Sequence, residues 1–385
     1  MTTVVLSPFD VVGFPDGGGH FWVYMQYAQG LRRLGCDVYW MEQIRRRKDP
    51  DRDARALATF LERMEQFGMR DRLLLYTLDA NDPDAPPAFR DVPRARAEAV
   101  LRGADLVLNF HYAIDPRLLA CARRTALVDI DPGLTQIWIS TGALTVPPHD
   151  VYFTIGETVG TSAAQVPDCG VRWVPMRPPV CLDLWPYVHD PTCVAFTTVA
   201  GWWSGKWIKT IENGQEECHD NNKRVSFLQH VTLPGLTSQP LELALHLAAD
   251  DGADQQLLER HGWRVRPARD VANTPQAYQA YIHSSRGEWS CAKPFFVKLQ
   301  NAWISDRTAC YLASGKPAVV QDTGPSAYLP NGEGLFRFAT LAQAAQAFDA
   351  INSDYERHCR AARALAEAHF DAGRVLSGVL EAALS

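Results

Sequence analysis

Three glycines and a histidine stand together early in the sequence, Gly17-Gly18-Gly19-His20, between a short apolar run and a segment of helical spacing. Glycines let the backbone approach a ligand closely, and a helix start offers unpaired N–H groups to an anion or oxyanion. The spacing is neither the GxGxxG dinucleotide fingerprint nor a P-loop, which would need a following lysine. A plain flexible turn entering a helix has the same composition. His20 adds an imidazole able to take a proton from a hydroxyl near neutral pH, or to hold the loop by hydrogen bonds. A second constellation is Asp129-Ile-Asp131. A DxD pair can hold a divalent metal, but this one closes the apolar run TALVDID. Asp131 is therefore read as a cleft residue, a ligand contact or an alternative base, with no metal. His111, Thr154, Gly156 and Glu157 also fall at the ends of apolar runs.

Composition narrows the class. The chain has 385 residues, with 38 Lys+Arg against 44 Asp+Glu and a net charge of −6. That length suits two domains or one large one. An acidic balance disfavours nucleic acid as partner; the dense basic run Arg45-Arg46-Arg47-Lys48 is followed at once by acidic residues. Nine cysteines, odd in number, scattered and without a CxxC pair, read as reduced thiols in a cytoplasmic protein rather than a disulfide framework or zinc site. No apolar stretch approaches the length of a membrane span, and the N-terminus has no export pattern. Oligomeric state is left open.

The elements that must position these groups alternate. Strand patterns at 3–7, 37–41, 73–77, 104–110, 125–131 and 151–157 are interleaved with helix patterns at 20–34 and about 52–68. Such alternation predicts a mostly parallel sheet covered on both faces. Residues 174–191 contain five prolines and read as a linker. The alternation restarts at 193–201 and continues through helices at 253–261, 275–283 and about 305–314 and a strand at 317–322. Residues 340–384 are almost entirely helical in pattern. The expectation is two doubly wound α/β lobes hinged near 174–191, with a helical tail. Ligands of such lobes bind beyond the carboxyl ends of the strands.

Two stretches carry a resemblance. Gly18, Gly19, Ala28, Leu31, Gly35 and Val38 fit the spacing GG-x8-A-x2-L-x3-G-x-x-V, which resembles the N-terminal loop and helix of GT-B glycosyltransferases. SRGEWSCAKPFFVKLQNAWISDRTACYLASGKPAVVQDTG (285–324) resembles the donor-binding part of GT-B second lobes. NGEGLFRF (331–338) resembles the GE-x-GLL-x-F segment of that fold. The motif SDR-x-ACYLASGKP-x-V-x-QDTG is similar to that of actinobacterial and planctomycete-type glycosyltransferase-like proteins. The Glu-x7-Glu and HCGWNS signatures found in some GT-B enzymes are absent.

The resemblance implies a GT-B fold of two Rossmann-like lobes facing across a cleft. An acceptor lobe would span 1–180 and a donor lobe 181–365, with 366–385 packing back on the first lobe. It implies transfer of a sugar from a nucleotide diphosphate sugar to a hydroxyl or amine of a small-molecule acceptor such as a natural product. No metal or other cofactor would be needed. His20 or Asp131 would act as base. Gly18, Gly19, Lys206, Lys293, Ser305, Asp306, Arg307 and Thr308 would hold the nucleotide and diphosphate, with Lys298 a further cation. Gln321, Asp322 and Thr323 would contact the donor sugar, and His111, Tyr112 and Glu157 the acceptor. A non-hydrolysing nucleotide-sugar 2-epimerase and an inactive nucleotide-sugar-binding protein share the same fold and remain alternatives.

Overall fold

A computed structural model of the chain describes residues 1–385 apart from 48, 204–206 and 213–214. The first lobe is built on β1 (Thr3–Ser7), β2 (Asp37–Gln43), β3 (Leu73–Thr77), β4 (Ala88–Arg90), β5 (Leu106–Asn109), β6 (Thr125–Asp129), β7 (Val151–Thr154) and β8 (Trp173–Pro175). Their order across the sheet is β4-β3-β2-β1-β5-β6-β7-β8, and all neighbours are parallel except β3–β4. Every residue of β5 and β6 is buried, as expected of strands covered by helices on both faces.

The second lobe begins with β9 (Phe196–Gly201). An antiparallel hairpin, β10 (Trp207–Glu212) and β11 (Gln215–Asp220), follows, and then come β12 (Leu241–His246), β13 (Arg264–Pro267), β14 (Gly287–Ser290), β15 (Ala318–Gln321) and β16 (Leu335–Phe338). The second sheet is wholly parallel, in the order β13-β12-β9-β14-β15-β16. Each sheet thus reverses direction of growth once, between β1 and β5 and between β9 and β14. Those switch points are where a doubly wound sheet opens a crevice.

The join is shorter than the sequence suggests. Trp173–Pro175 pairs with β7 as the edge strand of the first sheet, where the missing amide of Pro175 costs no ladder bond. The remainder of 174–191 is not loose chain, because Trp185 is fully buried and packs edge-on against Trp22 and Tyr278. Both β4 and the β10–β11 hairpin were not anticipated. The helical tail is three helices, Leu341–Ser353, Tyr355–His369 and Ala372–Leu384, with side-chain caps from Thr340, Asp354 and Asp371. The last of these lies on the Gly18–Arg33 helix of the first lobe. A Cβ on Gly30 would come within 2.5 Å of Leu376 and 2.9 Å of Ala372, so glycine is what permits that contact. Arg124 holds the same helix through the carbonyl of Ala383 at 2.9 Å. Where the chain crosses between the lobes its two passages are hydrogen-bonded together, Val180 N to Phe370 O at 2.7 Å and Ala372 N to Val180 O at 2.9 Å. Among the described residues no helix is long and apolar enough to cross a membrane.

Candidate functional site

A cavity of about 1000 Å³ lies between the two switch points. The first lobe contributes the loop after β1 and the start of the Gly18–Arg33 helix, with Ile130 and Asp131 after β6. The second lobe contributes the ends of β9 and β12, Lys223, Lys293 and the start of the Asp306–Ala313 helix. Gly18, Gly19, His20, Asp131, Lys293, Ser305, Asp306 and Arg307 all line it.

The β1 loop is held from below by Glu42 at the end of β2. Its carboxylate accepts from Val12 N at 2.7 Å and from Trp40 Nε1 at 2.8 Å. Burial pushes this carboxyl up to about 7 in spite of those bonds. The loop so fixed presents the carbonyl of Phe9 to His20 Nε2 at 2.9 Å. A carbonyl only accepts, so Nε2 carries the proton and Nδ1 holds the lone pair. Burial lowers the pKa of His20, while Phe9 and Asp10 partly offset it. The ring is therefore neutral at neutral pH, oriented through one nitrogen and basic at the other, with the edges of Phe14 and Tyr24 against it.

The two glycines make a different close approach from the one anticipated. Gly18 N donates to Ala272 O of the second lobe at 3.0 Å. A Cβ on Gly18 would meet Thr274 O at 2.2 Å and Ala272 O at 2.6 Å, and one on Gly19 would meet the Tyr278 ring at 2.8 Å. These positions are small because the lobes touch there. The Gly18 amide is spent on that contact and is not available to an anion.

Across the cavity the second lobe is cationic. Lys223 opens the Lys223–Gln229 helix and has no hydrogen-bond or ion-pair partner among the described residues. Burial, then the neighbouring charges of Arg307 and Lys293, bring its pKa down to about 7. Arg307 sends Nε to Glu288 Oε1 at 2.7 Å and Nη1 to Val199 O at 3.0 Å. Burial opposes its charge, but Glu288 together with Tyr278 and Tyr311 offsets this and holds it above the ordinary guanidinium range. Ser305 caps the Asp306–Ala313 helix through Arg307 N. Burial raises the pKa of Asp306, which the nearby Arg307 and Lys223 counter. Lys293 reaches across the cleft to Asp131, Nζ to Oδ1 at 3.0 Å. Lys223 carries no motif in the sequence, and only the fold brings it beside Lys293 and Arg307. Its neighbour Asn222, a helix-capping residue type, is the one local cue.

The other expected residues lie apart from the cavity wall. Asp129 is buried beneath it, accepting from Thr135 at 2.7 Å, Gln136 at 2.9 Å and Thr154 at 3.0 Å. It is a structural carboxyl, so the DxD residues do not act as a pair. Tyr112 joins the same network through Asp129 Oδ1 and Thr135. His111 is bonded to Arg45 at 2.9 Å, and burial with the charge of Arg45 lowers its pKa to about 4. Glu157 binds Arg177, Ser326 Oγ and Ala327 N, each at 2.6 Å, and so ties the first lobe to a second-lobe loop. Thr308 is buried within its helix. Gln321 accepts from Ala292 N, Asp322 from Gly324 N, and Thr323 donates to Trp303 O, so all three brace loops beside the cavity. Lys298 lies over the Phe295 ring. Lys206 lies outside the described residues.

No family model matches the sequence, and no curated protein matches it. Solved structures do share the architecture over the whole chain. An alpha-glucosyltransferase in complex with UDP and a 13-mer DNA superposes with a TM-score of 0.62 at 9% identity, covering 100% of this chain and 99% of that one. HepE of Anabaena, in complex with UDP-glucose, gives 0.59 at 12% identity and 99% coverage of both chains. TarM gives 0.59 at 9% identity, covering 100% and 99%. At such identities the likeness shows the fold: two Rossmann-like lobes facing across a cleft, the GT-B arrangement, with C-terminal helices.

Proposed function

We propose that this GT-B-fold chain is a glycosyltransferase that moves a sugar from a nucleoside diphosphate sugar to a hydroxyl or amine of a small-molecule acceptor. The observation that carries the reading is the gathering of basic groups on the second-lobe side of the cavity, of which Lys223 has no anionic partner among the described residues. Lys223, Lys293 and the start of the Asp306–Ala313 helix converge there, opposite a neutral, oriented His20. Solved structures of the same fold contain UDP or UDP-glucose.

In this reading the diphosphate lies against Lys223 and Lys293 with the Ser305–Arg307 turn beside it. These groups stabilise the charge that grows as the C–O bond to the diphosphate breaks, a task the chain's own cations can perform without a metal. The acceptor oxygen or nitrogen bonds to the anomeric carbon, its proton passes to His20 Nδ1, and the nucleoside diphosphate leaves. The Phe9 carbonyl accepts a hydrogen bond from Nε2–H and so steadies the imidazolium formed. Glu288 keeps Arg307 in place beneath the site and is a positioning residue. Nine unpaired cysteines support a reducing compartment, the cytoplasm.

The test has two stages. Calorimetric titration with UDP, TDP, GDP and ADP should show micromolar binding of at least one; no binding of any would refute the donor site. With that nucleotide's sugar as donor and an acceptor mixture, His20→Ala should lower transfer by about 10²- to 10⁴-fold with nucleotide affinity unchanged. Conversion of the donor to an isomeric nucleotide sugar without acceptor would identify a 2-epimerase instead.

A further inference from the structure

Beside His20, the residues just past the carboxyl ends of β1, β2 and β5, namely Phe9, Arg45 and His111, form a ledge that the cavity wall does not include. A single residue, Phe9, organises it. Its carbonyl holds His20 at 2.9 Å, and its ring lies under the Arg45 guanidinium at 4.7 Å and beside the His111 ring at 5.3 Å. Phe9 is 39% exposed, unusual for an aromatic at a strand end, and Arg45 is exposed with it. Arg47, two residues on, is neutralised by Asp10 at 2.9 Å. Among the described residues Arg45 has no carboxylate partner: it meets an aromatic face and His111 Nε2, which is uncharged. Burial first, and the Arg45 charge second, lower the pKa of His111 and keep its ring neutral beside the guanidinium. Holding a guanidinium between a ring and a neutral imidazole fixes its direction and leaves donor capacity for an incoming oxyanion.

We infer that the acceptor carries an anionic group, a carboxylate or a phosphate, which Arg45 holds on the Phe9 ledge while the reacting hydroxyl or amine reaches His20. This rests on the transferase reading and adds the acceptor class. Phe9 couples the two ends: the ring that stacks against the acceptor belongs to the residue whose carbonyl sets the tautomer of the base. An acceptor that fills the ledge therefore also fixes the base.

The full-length protein, saturated with whichever of UDP, TDP, GDP or ADP binds tightest, is titrated calorimetrically with 4-hydroxybenzoate, phenyl phosphate and the uncharged 4-hydroxybenzamide. At least one anion should bind ten times more tightly than the amide or better, the preference expected of roughly one charge-assisted hydrogen-bond pair. Which anion wins distinguishes a carboxylate acceptor from a phosphate one. In Arg45→Gln the preference should fall below twofold with nucleotide affinity unchanged, which also shows that the variant is folded; Arg45→Lys should retain part of it. Equal binding of anions and amide, no binding of any probe, or a preference that survives Arg45→Gln overturns the inference. The nucleotide titration that comes first reads the donor site separately, so the two readings fail independently.

Discussion

The ion pair between Lys293 and Asp131 spans the cleft, and it makes an unusual prediction about donor affinity. If Lys293 receives the diphosphate, it must first leave Asp131. Removing that carboxylate should then tighten nucleotide binding, although Asp131 lies in the site. At 3.0 Å the bare attraction in an effective dielectric of 20 is about 5 kcal/mol. The two side chains are 23% and 33% exposed, however, so solvent and side-chain entropy reduce the net worth to about 1 kcal/mol. Asp131→Asn should therefore bind UDP, or the preferred nucleotide, about fivefold more tightly. The backbone amide of residue 131 still donates to Asp129 Oδ1 at 3.1 Å, so the loop itself is kept. Calorimetric titration at about 50 mM and about 500 mM salt is the assay, and the gain should shrink at the higher salt as the pair is screened. Equal or weaker binding by Asp131→Asn, with an unchanged melting temperature, would refute the idea that the diphosphate competes for Lys293.

Three further outcomes follow from two particular residues. In the free protein Lys223 has a pKa of about 7, below its ordinary 10.5, so at pH 8 it is mostly neutral; a diphosphate beside it favours the charged form. Nucleotide binding at pH 8 should take up close to one proton, read by calorimetry in buffers of different ionisation enthalpy, and Lys223→Met should abolish the uptake. The same shift makes folding stability rise between about pH 7 and 10, because the unfolded chain binds that proton more tightly there. Gly18→Val places atoms inside the carbonyls of Ala272 and Thr274. It should cost about 1–3 kcal/mol, read as a lowered denaturation midpoint in urea.

How much of this was legible varies with the physical signal. The central strands were plain because a parallel sheet buries both faces, so LVLN and TALVD appear as unbroken apolar runs. AFR at 88–90 is three residues inside a polar, proline-rich stretch, and QEECHD at 215–220 has almost no apolar face, so neither β4 nor the hairpin had a pattern to read. The glycines at 17–19 announced a close approach; that a second-lobe carbonyl makes it could not be seen from local sequence. Glu157 stood at a strand end like a cleft residue, but the 326–327 loop that captures it comes nearly 170 positions later. Lys223 shows the limit most clearly. A lysine in NNKRVSF has the composition of any helix entry, and its meaning comes from burial beside two other cations.

The Ala372–Leu384 helix, seated on the Gly18–Arg33 helix, bears on the order in which the molecule is made. On the ribosome the first lobe can lay down its sheet early, yet the groove around Gly30 stays uncovered until residues near 384 have emerged. During that interval about half the chain waits with an apolar strip facing solvent, a target for chaperones or for the wrong partner. A protein cut at the join and expressed as two halves would leave that strip bare on one fragment and its cover on the other. The two lobes are thus separable as sheets but not as products of synthesis, and completing the second is what finishes the first.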